Sequence, residues 1–226
     1  MVRQWWRKRR KKRKHGVGIL LHKRLTKRVK RFLVLSPRVA ALDVEVTEKL
    51  VLRIISAYFP HCGYPDNAVD EMYTQLESLI AEAKAAGYTI IIGADCNAEA
   101  GGVQGLCAAL GSFGNESSSA RGEWLKAWAE KSNLLLANTV FKKRWDKIWT
   151  HASTSGRQRQ IDYILVERSK RSDVRNAEAT VDISAGSDHK AVHMTMMIRR
   201  SRKRKWRKPG RVTTSFKDWK ADDPLV

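Results

Sequence analysis

Three segments of the sequence place acidic or imidazole side chains at the ends of strongly apolar stretches. Asp95 and Asn97 follow the run YTIIIG, Asp162 lies inside QIDYILV, and Asp188 and His189 directly precede the run KAVHMTMMI. A carboxylate within or beside a buried strand costs free energy unless it has a partner or a metal ion. Three such places in one chain predict a shared site, with metal-assisted or acid–base chemistry as the first candidate.

Each segment taken alone also has a purely structural interpretation. Asp95 and Asn97 suit an Asx turn after a strand, and Asp162 suits an ion pair on an edge strand. The Ser187-Asp188 pair suits a simple turn, and a single histidine is most often a polar surface residue. Tyr58, at the end of LVLRIISAY, is by default an aromatic residue of the core or its rim.

The apolar patterns predict a mainly β chain with two helices between strands. Strands are predicted over 16–21, 38–46, 50–58, 88–93, 134–138, 161–166 and 190–198, and helices from Asp66 to Gly87 and over about 122–132. Because strands and helices do not alternate regularly, this order favours an α/β (α+β) two-layer β-sandwich flanked by helices over a doubly wound sheet. Neither GxGxxG nor GxxxxGK[ST] is present, which argues against dinucleotide and P-loop sites.

The formal net charge of +21 is concentrated at the two ends of the sequence. Residues 1–15 and 199–211 are rich in Lys and Arg and contain no acidic residue, whereas charges nearly balance between 32 and 198. This predicts a basic disordered arm over 1–15, a domain over 16–200 and a basic tail or linker over 201–226. The side chains predicted to bind nucleic acid are Arg7, Lys8, Arg9, Arg10, Lys11, Lys12, Arg13, Lys14, Arg202, Lys203, Arg204 and Lys205. Solvated tails or nuclear-localisation signals are the alternative.

Cysteine usage and hydropathy indicate the cellular compartment of the protein. The three cysteines lack CxxC or Cys/His ligand spacing, which argues against a disulfide framework or a zinc module. No apolar run reaches the length of a membrane span, and the run at 16–21 is too short and too late for a signal peptide. We therefore expect a nuclear or cytoplasmic protein that is not secreted and has no membrane partner.

Taken together and in this order, SAYFP, GADCNAEAG, QIDYILV and GSDHKAV resemble the motifs of the endonuclease/exonuclease/phosphatase superfamily. The segments HGVGILLHKRL, RGEWLKAWAEKSNLLLANTVF and WTHAS resemble non-LTR retrotransposon endonuclease domains and the craniofacial-development-protein-2-like sequences. The resemblance covers about residues 15–200. It implies a DNase-I-like fold and Mg²⁺-dependent cleavage of duplex DNA, with Mn²⁺ as a substitute ion. It also implies a reverse transcriptase downstream in a parent polyprotein.

The resemblance also implies roles for individual residues. Asp95 would orient and deprotonate the attacking water, and Asn97 would hold that water or a phosphate oxygen. His189 would bind the phosphate and would be oriented by Asp162. These residue types suit phosphodiester hydrolysis, which needs an activated water and neutralisation of the phosphorane charge.

By the same resemblance, Asp188 would help to hold the Mg²⁺ ion, and Tyr58 would donate a hydrogen bond to the phosphate or the leaving group. The sequence departs from the family at two points. His61 stands where a small polar residue is usual, and no acidic residue precedes Asp43, whereas the family has a metal-binding Glu ahead of the segment that GVGILL resembles. The second departure predicts an N-terminally shortened domain in which the first strands of one sheet are missing, with weak ion binding and slow or absent nicking.

Two alternatives remain open at this point. One is a catalytically inactive, nucleic-acid-binding remnant of such a domain. The other keeps the fold and changes the substrate, as in the inositol-phosphate phosphatases of the same superfamily. The basic ends and the retroelement-like segments favour a nucleic-acid substrate over the second alternative.

Overall fold

The computed structural model describes residues 16–101, 107–180 and 186–198, together with the backbone of Arg3–Gln4. The predicted nucleic-acid-binding residues at 7–14 and 202–205 lie outside these ranges. The strands are β1 (Arg3–Gln4), β2 (Leu20–Leu21), β3 (Val29–Ser36), β4 (Val39–Thr47), β5 (Leu50–Tyr58), β6 (Thr89–Asp95), β7 (Leu134–Leu136), β8 (His151–Ala152), β9 (Gln158–Arg159), β10 (Asp162–Glu167), β11 (Val174–Thr180) and β12 (Ala191–Met196). The two α-helices are α1 (Asp66–Ala85) and α2 (Ala120–Lys131).

A six-stranded sheet in the order β3-β4-β5-β6-β10-β7 forms the centre of the molecule. Strands β5 and β6 are parallel and are connected by α1, whereas the other neighbouring strands of this sheet are antiparallel. Three two-stranded pairs, β1-β2, β8-β9 and β11-β12, accompany it. Short 3₁₀ turns occupy Lys23–Arg28, Ala137–Thr139, Trp145–Lys147 and Arg168–Asp173.

The helices cover one face of the central sheet. Ile90 and Ile92 of β6 are fully buried against Leu76 of α1 and Leu125 of α2, in one apolar cluster. Side chains alternate between the two faces of a strand, so Ile91 and Asp95 point to the opposite face. The catalytic candidate Asp95 thus lies on a strand whose other face packs against a close-packed core.

The opposite face of the sheet is covered in part by the β11-β12 pair. Val166 of β10 packs in one cluster with Val174 and Ala177 of β11, and Met194 of β12 lies against it. The described part of the chain therefore has two β layers with helices outside. The predicted class, an α/β (α+β) sandwich flanked by helices, is confirmed.

The structure differs from the predicted elements in several segments, and the short strands β8 and β9 are also absent from the prediction. The strand predicted over 16–21 is limited to Leu20–Leu21, and β3 occupies a segment that the pattern assigns in part to a polar turn. Strand β3 is an edge strand with exposed Lys30 and Arg31, a common protection of sheet edges that obscures the apolar pattern. Strand β11 is absent from the predicted elements, because its buried positions include alanines rather than large apolar residues.

Helix α1 starts where the sequence predicts it, but without a side-chain cap. Asp66 is the first helical residue, no side chain caps the terminus, and its carboxylate pairs instead with Arg121 of α2 at 2.7 Å. Asp66 is still well placed, since a negative charge in the first turn favours the helix dipole. Among the described residues, neither helix has both the length and the apolar character needed to cross a membrane.

Candidate active site

Three strands of the central sheet bring candidate residues side by side. Tyr58 ends β5, Asp95 ends β6 and Asp162 begins β10, and in the ladder Asp95 lies opposite both Tyr58 and Asp162. Residues that are directly opposite in neighbouring strands project from the same face. The parallel β5-β6 pair and the antiparallel β6-β10 pair thus place all three residues at the same end of these central strands.

His189 joins this row from the segment that precedes β12. Its Nδ1 lies 2.9 Å from Oδ2 of Asp162, and the carboxylate can only accept, so Nδ1–H donates. The backbone N–H of His189 donates to the Ser187 hydroxyl at 3.0 Å, which fixes the approach of the chain. The hydrogen bond to Asp162 leaves Nε2 of His189 as the nitrogen that can meet a ligand.

Asp95 and Asn97 form the Asx turn that is one of the interpretations from sequence. The backbone N–H of Asn97 donates to Oδ1 of Asp95 at 3.0 Å, and Asn97 has a φ of 47°, a left-handed conformation that Asn tolerates. The side-chain Nδ2 of Asn97 donates to the Phe59 carbonyl at 2.9 Å. This turn fixes one carboxylate oxygen of Asp95 and orients the Asn97 amide.

The proximity of these ionisable groups changes their protonation. Burial, and after it the neighbouring Asp162 carboxylate, raise the pKa of Asp95 to about 6. The hydrogen bond to Asp162 raises the pKa of His189 above its ordinary value, against the opposing effect of burial. Asp95 can therefore exchange a proton near neutral pH, while His189 keeps its positive charge to a higher pH than a free histidine.

Two buried polar residues that sequence reasoning does not select hold Asp162 in place. The Thr150 hydroxyl accepts hydrogen bonds from the backbone N–H groups of Ile161 and Asp162 at 3.0 and 3.1 Å. Asn138 donates to the Asp162 carbonyl and accepts from the N–H of Ile164. Neither residue carries a charge or belongs to a spacing pattern, so only the fold shows what it does.

Asp188 projects toward a second histidine, His151 on β8. Oδ2 of Asp188 lies 3.5 Å from Nε2 of His151, and the rings of His151 and His189 are 4.7 Å apart between centroids. His151 belongs to the segment WTHAS but is not among the site residues predicted from sequence. The residues beside His151 in the sequence do not indicate this contact, because it depends on a β-bridge to residue 189, which is distant in sequence.

A cation lies against the Tyr58 side chain. The Arg38 guanidinium sits 4.9 Å from the ring centroid of Tyr58 and 4.8 Å from that of Tyr64, and its Nη1 donates to the Tyr58 carbonyl. Such contacts restrict the orientation of the ring. His61, the departure noted in the sequence, accepts a hydrogen bond from the Gly63 N–H and packs edge-on against Tyr64. In this structure His61 stabilises the loop after β5.

The donor atoms at this end of the central strands suit a divalent cation. Asp95, Asp162 and His189 each offer a ligand atom within 4.8 Å of the others, and His151, Asp188 and His189 form a second such group. Burial and, after it, repulsion by the Asp162 carboxylate raise the pKa of Asp95, and a cation would relieve that repulsion. Carboxylate oxygens favour Mg²⁺ or Mn²⁺, and imidazole nitrogens favour transition metals.

Comparison with family models gives no match. Among curated proteins, craniofacial development protein 2 of Bos taurus is 27% identical over 202 residues, which is 89% of this chain and 34% of that protein. The chain thus spans about a third of the length of this relative.

Solved structures are similar to the chain in fold over most of its length. The endonuclease domain of TRAS1, a telomere-specific non-LTR retrotransposon, superposes with a TM-score of 0.59 at 15% identity, covering 88% of this chain and 81% of that domain. The catalytic domain of APE2 from Xenopus laevis superposes with a TM-score of 0.53 at 17% identity, covering 71% of this chain and 55% of that one. Together with the sandwich and its flanking helices, these similarities show that the chain shares the fold of these two domains, the DNase-I-like fold that the sequence predicts.

Proposed function

We propose that the chain is a divalent-metal-dependent phosphodiesterase that cuts DNA, of the type found in retroelement endonuclease domains. The observation that carries this proposal is the group of Asp95, Asp162 and His189, whose ligand atoms all lie within 4.8 Å of one another. The group combines a carboxylate that titrates near neutral pH with a carboxylate–imidazole pair. Phosphodiester hydrolysis requires both a proton acceptor for water and a positive group beside the phosphate.

Asp95 is the proposed general base. Its pKa of about 6 leaves it ionised above neutral pH yet basic enough to take a proton from an attacking water. One of its oxygens is occupied by the N–H of Asn97, so the other is the oxygen that would accept the proton. Asn97 itself would hold the water or a phosphate oxygen through its amide.

His189 is the proposed phosphate-binding cation. With Nδ1–H bound to Asp162, its Nε2–H would donate to a phosphate oxygen, and the positive charge would offset the charge that develops on phosphorus. Tyr58, at the end of β5, would donate a hydrogen bond from its hydroxyl to the phosphate or to the departing oxygen. The Arg38 contact with its ring would hold the phenol in orientation.

The residue proposed to hold the divalent ion is Asp188, beside the catalytic Asp95 and Asp162. The ion, Mg²⁺ or Mn²⁺, would supply positive charge to the phosphate oxygens and the leaving alkoxide. The Asp188 side chain is 68% exposed, so it is a mobile ligand that holds an ion weakly. Mg²⁺ gives up its waters reluctantly, and we therefore expect slow turnover.

The proposal is tested by incubating the chain with supercoiled plasmid in Mg²⁺ or Mn²⁺ and following conversion to the nicked form. Slow, EDTA-sensitive nicking supports the proposal. Binding of DNA without nicking, at any concentration of either ion, would favour the alternative of an inactive nucleic-acid-binding domain.

The rate of nicking should depend on pH as a bell-shaped curve. It should rise as Asp95 ionises, with an apparent midpoint near 6, and fall as His189 loses its proton. Asp162→Asn removes the charge that raises both pKa values, so both limbs should move to lower pH. The exposed His193 provides a control, and His193→Gln should leave the curve unchanged. An unmoved descending limb in Asp162→Asn would exclude His189 as the titrating group.

The basic ends are proposed to bind the DNA backbone. Deleting residues 1–15 and 199–226 should weaken binding of a short duplex by about 10-fold or more at low salt, because released counterions drive such binding. The slope of log affinity against log salt should become flatter by about 0.9 for each phosphate that the chain no longer neutralises. Fluorescence anisotropy measures both quantities. Equal affinity of the full and trimmed chains at every salt concentration would assign binding to the domain alone.

A further inference from the structure

The group of His151, Asp188 and His189 differs in chemistry from the carboxylates beside it. It offers two imidazole nitrogens and one carboxylate oxygen, all within 4.8 Å of one another. Nitrogen-rich sets of this kind favour Zn²⁺, Co²⁺ or Ni²⁺ over Mg²⁺, which prefers oxygen ligands and water. The donor set therefore points to a different ion from the one that phosphodiester cleavage uses.

The separation between His151 and Asp188 fits two ligands of one ion better than a hydrogen bond. Nε2 of His151 lies 3.5 Å from Oδ2 of Asp188, longer than the roughly 2.7–3.2 Å of ordinary N–H···O bonds. Ligand atoms on a tetrahedral ion with bonds of about 2.0–2.1 Å lie about 3.3 Å apart. The exposed Asp188 carboxylate can move by the small distance that remains.

The two ring nitrogens of His151 have few polar partners among the described residues. Its Nδ1 is buried without a hydrogen-bond partner among the described residues, and its Nε2 makes only the long contact to Asp188. A buried polar ring with so few partners is uncommon in folded proteins. An ion bound at Nε2 would give this nitrogen a strong interaction in place of the long contact to Asp188.

The backbone and Asp162 hold the two histidines in a fixed relation. Residues 151 and 189 form an antiparallel β-bridge, the N–H of Ala152 donates to the Asp188 carbonyl, and the N–H of Lys190 donates to the Thr150 carbonyl. Asp162 binds Nδ1 of His189 and so leaves Nε2 as the nitrogen that can bind an ion. A carboxylate that orients a histidine ligand from behind is the usual support of protein metal sites.

We propose that His151, Asp188 and His189 form a binding site for a transition-metal ion such as Zn²⁺, with the remaining positions open to water or a ligand. Three protein ligands with an open position are typical of reactive rather than structural zinc sites. The site does not depend on the phosphodiesterase proposal, although it shares Asp188 and His189 with it. An ion held there would occupy the nitrogen that is otherwise proposed to bind phosphate.

The experiment is a titration of the full chain with Co²⁺, which replaces Zn²⁺ and absorbs visible light strongly when four- or five-coordinate. We expect saturable visible absorption at one equivalent that Zn²⁺ displaces. His151→Gln should weaken Co²⁺ binding by more than about 100-fold, and Asp162→Asn by about 10–100-fold. His193→Gln is the matched control and should change nothing. Cys62→Ser and Cys107→Ser together exclude thiolate ligands.

Circular dichroism shows whether each variant keeps its fold, and Asp162→Asn provides a milder change should His151→Gln unfold. Only the weak spectrum of hydrated Co²⁺ in the wild-type chain, or equal binding by folded His151→Gln, would overturn the site. Neither result depends on nicking activity, so a failed metal site and a failed phosphodiesterase proposal are distinguishable.

Discussion

Replacing Asp95 with asparagine is expected to reduce plasmid nicking by about 10²–10⁴-fold, the usual contribution of a general base. Asparagine keeps the oxygen that accepts from the Asn97 N–H, so the turn after β6 should survive. What the variant loses is the ability to take a proton from water. Single-turnover nicking at saturating DNA measures this loss without the influence of binding.

The same substitution should stabilise the folded protein. Burial raises the pKa of Asp95 to about 6 in the folded state, so the ionised carboxylate is less favourable there than in the unfolded chain. The stability that its protonated form provides is complete below the unfolded pKa and is lost as pH rises through about 6. Asp95→Asn should therefore raise the free energy of unfolding by about 3 kcal/mol at pH 8, and by about half as much at pH 5.

Urea unfolding at the two pH values measures the difference, and Asp70→Asn on the exposed face of α1 is the matched control. Asp70 carries the same charge without the burial, so its replacement should change stability little at either pH. An Asp95→Asn variant that nicks normally, or that is less stable at pH 8, would contradict the role assigned to this carboxylate.

The sequence predicts the strands at the centre of the sheet because they are mainly apolar. The predicted bounds of β4, β5, β6 and β10 lie close to the observed ones, since burial on both faces leaves a continuous apolar run. Edge strand β3 and the alanine-rich β11 carry weaker patterns. Their positions are decided by pairing with β4 and β12, and pairing leaves no local signal.

The pattern of residue types predicts mainly the charged members of the site. Asp95, Asp162 and His189 stand out because ionisable groups are rare beside buried strands. Thr150 and Asn138 hold the Asp162 backbone through uncharged side chains, and neither has a distinctive spacing. His151 reaches the site through a bridge to residue 189, a distant pairing that no sequence period reveals.

The largest expected effect on stability comes from Arg53, far from these residues. Its guanidinium is buried on the helix-covered face and makes two 2.7 Å bonds to the Asp43 carboxylate of β4. Its Nη1 donates to the Leu79 carbonyl and to the Glu82 carboxylate of α1. Hydrogen bonding to Asp43 raises the pKa of Arg53 above its already high value, so the charge is permanent. Arg53 thus joins two strands to the helix that connects β5 and β6.

Arg53→Met is expected to lower the free energy of unfolding by about 3–5 kcal/mol, because it leaves the Asp43 carboxylate buried without a partner. The double variant Arg53→Met with Asp43→Leu should recover most of this loss, since a well-packed apolar pair often replaces a buried ion pair at little cost. Lys30→Met, which breaks the exposed pair with Glu45, is the control and should cost less than about 1 kcal/mol. Urea unfolding gives all three values. A double variant no more stable than Arg53→Met would show that the bonds to α1, rather than the buried charge, account for the effect.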